Sequence, residues 1–158
     1  MLSSRWASAT LVPVFLGILV AGCGASARTG PNHTACGRTG QADVVVEKQT
    51  GKVVDSCVQL PGGSLSGEAL MRRSGIEFAL QHFSFGDAVC QVDEEPLSYT
   101  SCFASGQPYW ALYTWTGKGP WKVATKGISE LSFKAGQAIG WHFGTGSPPP
   151  PPRPPLAG

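Results

Sequence analysis

Six aromatic side chains carry the most evident chemistry of the chain: Tyr109, Trp110, Tyr113, Trp115 and Trp121 in QPYWALYTWTGKGPW, residues 107–121, and Trp141 further on. Indole and phenol rings offer flat apolar faces with one polar tip, so rings grouped on a surface form a platform for a flat organic ligand. The same rings also fill cores. Alternation along the strand-like run turns Tyr109, Ala111, Tyr113 and Trp115 one way and Trp110, Leu112, Thr114 and Thr116 the other. Large rings therefore occupy both faces, and a single short helix covers one. The six rings are the candidate ligand-binding residues, with Trp121 on a Gly-Pro turn and Trp141 on the last strand beside the main group.

The cysteines are the second chemically distinctive set. Apart from Cys23, which belongs to an export signal, the chain has Cys36, Cys57, Cys90 and Cys102. An even number of cysteines in an exported chain implies a disulfide framework. Three connectivities are possible; the favoured one joins Cys90 to Cys102 and Cys36 to Cys57. A zinc site is not expected, because there is no C-x-x-C pair and no neighbouring pair of histidines.

Catalytic constellations were sought and none emerged. The segment GSLSG at 63–67 resembles a nucleophile elbow, but Leu65 stands where the serine of G-x-S-x-G belongs. The histidines are His33, in a polar tether, and His82 and His142, at strand positions where a ring packs on a sheet. Asp93, Glu94 and Glu95 cluster in a loop without the alternating ligand spacing of a calcium loop, and are expected to be solvated charges. No catalytic residue, metal or cofactor is expected, and the chain is read as a non-enzyme.

The elements that must position these residues follow from hydrophobic period. ADVVVEK and KVVDSCVQL flank Gln49-Thr50-Gly51, two β-branched runs about a turn, and predict a hairpin. SLSGEALMRRSGI predicts a short helix: Ser66 caps it, Leu65 and Leu70 form a staple, Glu68 and Arg72-Arg73 complement its dipole, and Gly75 ends it, with Ile76 placed to touch Met71. Strand alternation returns at Ile76–Leu80, again at Ala88–Val92 after FSFG, and in LSFKAGQAIGWHF on both sides of a turn at Lys134–Gln137. Hairpin, helix, then further strands is an α+β pattern in which a sheet grips one helix, a β-grasp-like architecture.

The ends are of different character. Residues 1–22 read as a signal peptide with one arginine, Arg5, and an apolar run too short to span a bilayer and broken by Pro13. Val20-Ala21-Gly22-Cys23 resembles a bacterial lipobox, which would make Cys23 the acylated N-terminus; cleavage after Ala25-Ser26-Ala27 is the alternative and would release a soluble protein. Both routes place the domain outside the cytoplasm. Residues 23–40 form a polar tether, residues 41–143 the domain, and residues 144–158 a proline-rich tail expected to be extended, solvated and disordered. A formal charge of +2 without a basic stripe excludes nucleic acid as a partner.

GEALMRRSGIEF, FSFGDAVCQVDEE, PYWALYTW, KGISELSF and KAGQAIGWHF, in that order, resemble the C-terminal β-domain of the transcobalamin and intrinsic factor family, including its stand-alone bacterial relatives. The resemblance implies a β-grasp-like fold and one wall of a cobalamin site, with Tyr109 and Trp110 matching the family's aromatic pair. The helical barrel that forms the other wall in complete members is not encoded in this sequence. The expectation is an extracytoplasmic, lipid-anchored protein that binds a corrinoid or another flat organic ligand for uptake. The alternative is a cell-surface interaction module that pairs with a separate helical-barrel protein.

Overall fold

The valine-rich runs about Gly51 form β1 (Gln41–Glu47) and β2 (Val53–Gln59), antiparallel, with Val46 opposite Val54 and Asp43 opposite Cys57. Gly51 has φ 78°, a left-handed conformation that a glycine adopts without strain. The computed structural model describes residue 36 and residues 39–154, within a unit spanning Pro31–Gly158. The signal peptide and Cys23 lie outside the described residues.

The helix forms where its punctuation places it. A short strand, β3 (Ser64–Ser66), leads into α1 (Gly67–Ser74). Ser66 Oγ accepts from the Ala69 N–H at 3.2 Å, Arg72 pairs with Glu68 at 2.6 Å one turn earlier, and Gly75 closes the helix at φ 76°. Leu70 and Met71 are fully buried, so α1 is held by one apolar stripe. Gly67 permits the close approach: a Cβ there would lie 2.6 Å from the Ile128 carbonyl oxygen.

Next come β4 (Phe78–Phe83) and β5 (Gly86–Val92), a hairpin with an irregular register at Ala79/Leu80. They are followed by β6 (Tyr109–Trp115), β7 (Lys122–Val123), a 3-10 turn at Ile128–Glu130, β8 (Ser132–Lys134) and β9 (Ala138–Gly144). The central sheet has five strands in the order β2-β1-β9-β6-β7, with β1 and β9 parallel and the other neighbours antiparallel. The two strands about Lys134–Gln137 both form but enter different sheets: β8 pairs with β3, and β9 lies between β1 and β6. The result is a small α+β domain. Both favoured disulfides are present, Cys36–Cys57 and Cys90–Cys102. Such bonds belong to an oxidising, extracytoplasmic environment. Among the described residues no helix is long and apolar enough to cross a membrane.

Register separates the two faces of the central sheet. Val44, Val46, Ile139, Trp141, Phe143 and Trp110 point to the helix side and join Leu70, Met71 and Ile128 in one core. The opposite, outer face carries Val45, Gly140 and Tyr113 in one cross-strand row and Asp43, Ala138 and Trp115 in the next. Among the described residues no helix covers this face, yet Val45, Tyr113 and Trp115 are buried.

Its cover is the C-terminal segment. Pro148, Pro151 and Pro154 are buried, whereas Pro149, Pro150, Pro152 and Arg153 are exposed. Burial every third residue is the period of a polyproline II helix lying along a surface. The solvated, disordered tail expected at 144–158 is therefore corrected for Pro148–Pro154: three prolines have an apolar surface to bury themselves on. The sheet is covered on both sides, by helix and small sheets on one and by the proline segment on the other.

Candidate functional site

The short length of β7 leaves an apolar cavity beside β6. β7 pairs only with Tyr113 and Thr114, and the Ala124 N–H donates to the Leu112 carbonyl at 2.9 Å just beyond it. Strand alternation turns the main-chain groups of Trp110 to the same side as those of Leu112, and among the described residues no strand stands beside them there. A cavity of about 300 Å³ occupies this gap at the edge of β6. Trp110, Leu112 and Trp141 reach it from the helix side of the sheet, Tyr109, Ala111 and Tyr113 from the outer side. Ala88 and Val89 of β5, the segment from Val123 to Gly127, and Ser147 and Pro148 complete the walls.

The mouth is aromatic. Phe83 and Phe85 stack at 5.2 Å between centroids, Phe103 tilts against Phe83 at 5.3 Å, and Tyr109 meets the edge of Phe103 at 5.8 Å. Phe85 and Phe103 are 45% and 44% exposed, an open pair of rings beside an apolar hole. The Cys90–Cys102 disulfide sets this corner, because Cys102 carries the neighbouring Phe103 to the β4–β5 hairpin. On the opposite wall Gly127 and Gly86 touch through their backbones: a Cβ on Gly127 would lie 2.6 Å from Gly86 C.

The polar groups about the cavity are mostly engaged. The Asp87 carboxylate meets His82 Nδ1 at 2.8 Å, and this hydrogen bond is the main reason its pKa lies below the usual carboxylate value. Tyr113 donates its hydroxyl to the Pro148 carbonyl, and its burial raises the pKa of the phenol. Trp110 donates its indole N–H to the Glu95 carbonyl at 2.8 Å. Trp141 differs. Its side chain is 1% exposed, it lines the cavity, and its buried indole N–H has no partner among the described residues. An orphaned buried donor costs about 1–3 kcal/mol, and this nitrogen is enclosed by its neighbours rather than open to the cavity.

The six candidate rings divide into two groups. Tyr109, Trp110, Tyr113 and Trp141 converge on the cavity. Trp115 and Trp121 do not line it: their rings lie 6.3 Å apart, Trp115 donates to the Gly119 carbonyl at 3.0 Å, and Trp121 lies over Gly140. Trp110 and Trp141 belong to the core as well, so neither is a surface platform. The sequence reasoning missed Phe85 and Phe103, the two most exposed rings of the mouth. For Phe85 the signal present was FSFG at a hairpin turn; for Phe103 there was none.

Other candidates have different places. Asp93 pairs with Lys48 at 2.6 Å, and its pKa is lowered chiefly by that hydrogen bond, so the acidic loop is tied to the β1–β2 turn. His142 lies 3.1 Å from the Glu47 carboxylate on the outer face, away from the cavity. Cys36, Asp43 and Cys57 bring potential metal donors within 4.8 Å of one another. The two sulfurs are bonded to each other, which removes the thiolates that a soft metal would require.

Comparison with family models and with curated proteins gives no match. Among solved structures, a proposed metal-binding protein from Ruminococcus gnavus superimposes with a TM-score of 0.49 at 14% identity, over 68% of this chain and 98% of its own.

Proposed function

We propose that this chain is an extracytoplasmic, non-enzymatic binding protein, anchored by a lipid on Cys23, that takes a small, flat, mainly apolar molecule at the edge of β6. The ligand stacks on Phe103 and Phe85 and inserts its narrow end between Tyr109 and Leu112. The exposed Phe85 and Phe103 rings beside an apolar cavity are the observation that carries the reading. A β-grasp-like architecture is part of it, supported by a central sheet whose first and last strands lie side by side and parallel, flanked by the earlier hairpin strand and the later pair.

The cavity volume narrows the ligand class. At about 300 Å³ the space lies at the lower limit of small-molecule sites. It holds a bicyclic or tricyclic molecule, and of a corrinoid it holds one edge or substituent, which would leave most of the macrocycle in solvent and the affinity weak. A titration of the exported domain with planar aromatic acids, quinones and corrinoids, followed by tryptophan fluorescence, tests this. Saturable quenching by one class, weakened at least about tenfold by Phe103→Ala, is expected. Unchanged emission across the whole panel would remove the ligand reading.

The exposure of Phe85 and Phe103 favours a second reading. In it the aromatic mouth meets another protein, such as a separate helical barrel, and the cavity receives one of its side chains. Loss of partner capture in Phe85→Ala, with no small molecule quenching the tryptophans, would select this reading.

A further inference from the structure

The outer face of the central sheet is shaped for what lies on it. β9 presents Ala138, Gly140, His142 and Gly144 outward, three of the four small. A Cβ added to Gly140 would lie 2.8 Å from Pro151 Cγ and 2.9 Å from the Trp121 ring, and one on Gly144 would lie 3.2 Å from Pro148 Cγ. Glycine in mid-strand marks a close approach by another chain segment, here the proline segment itself.

The polar groups match as well. A proline segment has carbonyl acceptors and no main-chain donors, so a groove that binds it must supply donors from rings. Tyr113 donates to the Pro148 carbonyl and Tyr109 to the Gly146 carbonyl at 2.8 Å. The six-membered ring of Trp121 lies with Pro151 over Gly140, and its indole N–H is buried with no partner among the described residues. Aromatic walls, ring donors aimed at carbonyls, and a ligand that buries one residue in three are the physics of polyproline recognition.

We propose that this face is a polyproline-recognition groove, that residues 147–154 are its resident ligand, and that a proline-rich peptide of the same spacing binds there in trans when the resident segment is withdrawn. The groove adjoins the cavity at the β6 edge, where Tyr109, Tyr113, Ser147 and Pro148 contribute to both. The exposed residues from Thr145 to Ser147 connect β9 to the first seated proline, and Gly146 with φ 69° turns the chain back over the sheet. Released at this connection, the segment leaves β9 and its pairing intact.

The test uses the full chain carrying Pro148→Ser, Pro151→Ser and Pro154→Ser, titrated with the synthetic peptide SPPPPPRPP, which reproduces residues 147–155. The indole N–H resonance of Trp121 is followed by NMR. Saturable shifts at Trp121 are expected. A peptide with serine at the three seated positions should bind at least about tenfold more weakly, whereas one with serine at Pro149, Pro150 and Pro152 should bind like the parent. Absence of binding at millimolar peptide, or equal binding by both altered peptides, overturns the proposal. Should the triple variant not fold, single substitutions in the intact chain decide: Pro151→Ser should lower the melting temperature by several degrees and Pro150→Ser should leave it unchanged. Equal effects of the two would reduce the segment to a featureless cover.

Discussion

Asp43 shows how one residue feels the second layer. It sits on the outer face of β1 beside the Cys36–Cys57 disulfide at 7% exposure, and burial, aided by the charge of Asp55, raises its pKa from 3.8 to about 6. Between those values the folded chain holds a proton that the unfolded chain has released, so this contribution is fully present below pH 3.8 and is lost as pH rises to about 6. Asp43→Asn should remove that slope and raise stability at pH 7, by an amount on the order of 1.4 kcal/mol for each pH unit between the two values. Urea midpoints for both proteins at pH 4 and pH 7 check it; an equal change with pH in each would contradict the assignment. Asp93 acts in the opposite sense, since Lys48 stabilises its charged form and that contribution disappears in acid.

At this scale the aromatic residues were only partly legible. Tyr109, Trp110, Tyr113 and Trp141 could be named because ring type and strand alternation are local properties. Phe85 and Phe103 were missed because their exposure arises from a turn and a loop brought together by β4, β5 and a disulfide, over a sequence separation no window spans. Phe103→Ala should cost little stability, since the ring is nearly half exposed, yet remove one side of the mouth; thermal melting beside a ligand titration separates the two effects.

At the scale of elements, α1 is the one whose limits were readable residue by residue. Its cap, its charges and its closing glycine all act within one turn of the chain. Ser66→Ala should lower stability by about 1 kcal/mol, read from the urea midpoint, because the Ala69 N–H loses its acceptor. β9 behaves differently. Its outward glycines take their meaning only from the segment lying on them, a proline tail that looks solvated by composition. Gly140→Ala should drive Pro151 and Trp121 apart, at a cost of about 1–3 kcal/mol, with a red shift of tryptophan emission as Trp121 becomes wet. An unchanged spectrum would mean that Trp121 does not depend on the segment.

At the scale of the whole molecule, a small domain is held by a two-sided sheet and two covalent ties. The Cys36–Cys57 bond closes a loop with a sequence separation of 21 and fixes Cys36 to β2. Replacing both cysteines by alanine should cost about 3 kcal/mol in the chain-entropy model, seen as a lower urea midpoint, while the Cys90–Cys102 pair should matter more to the cavity mouth than to the sheet. The hairpin, the helix with its caps and the strand periods were determined by the sequence alone, because each rests on side-chain period or backbone preference, whereas the cysteine pairing was favoured by sequence and fixed by the fold. Which strands became neighbours, what covered the face without a helix, and where two exposed phenylalanines met the edge of β6 were decided only in three dimensions. Those outcomes depend on which apolar surfaces remain unburied once the local elements exist, and the proline segment is drawn in because β9 left it room.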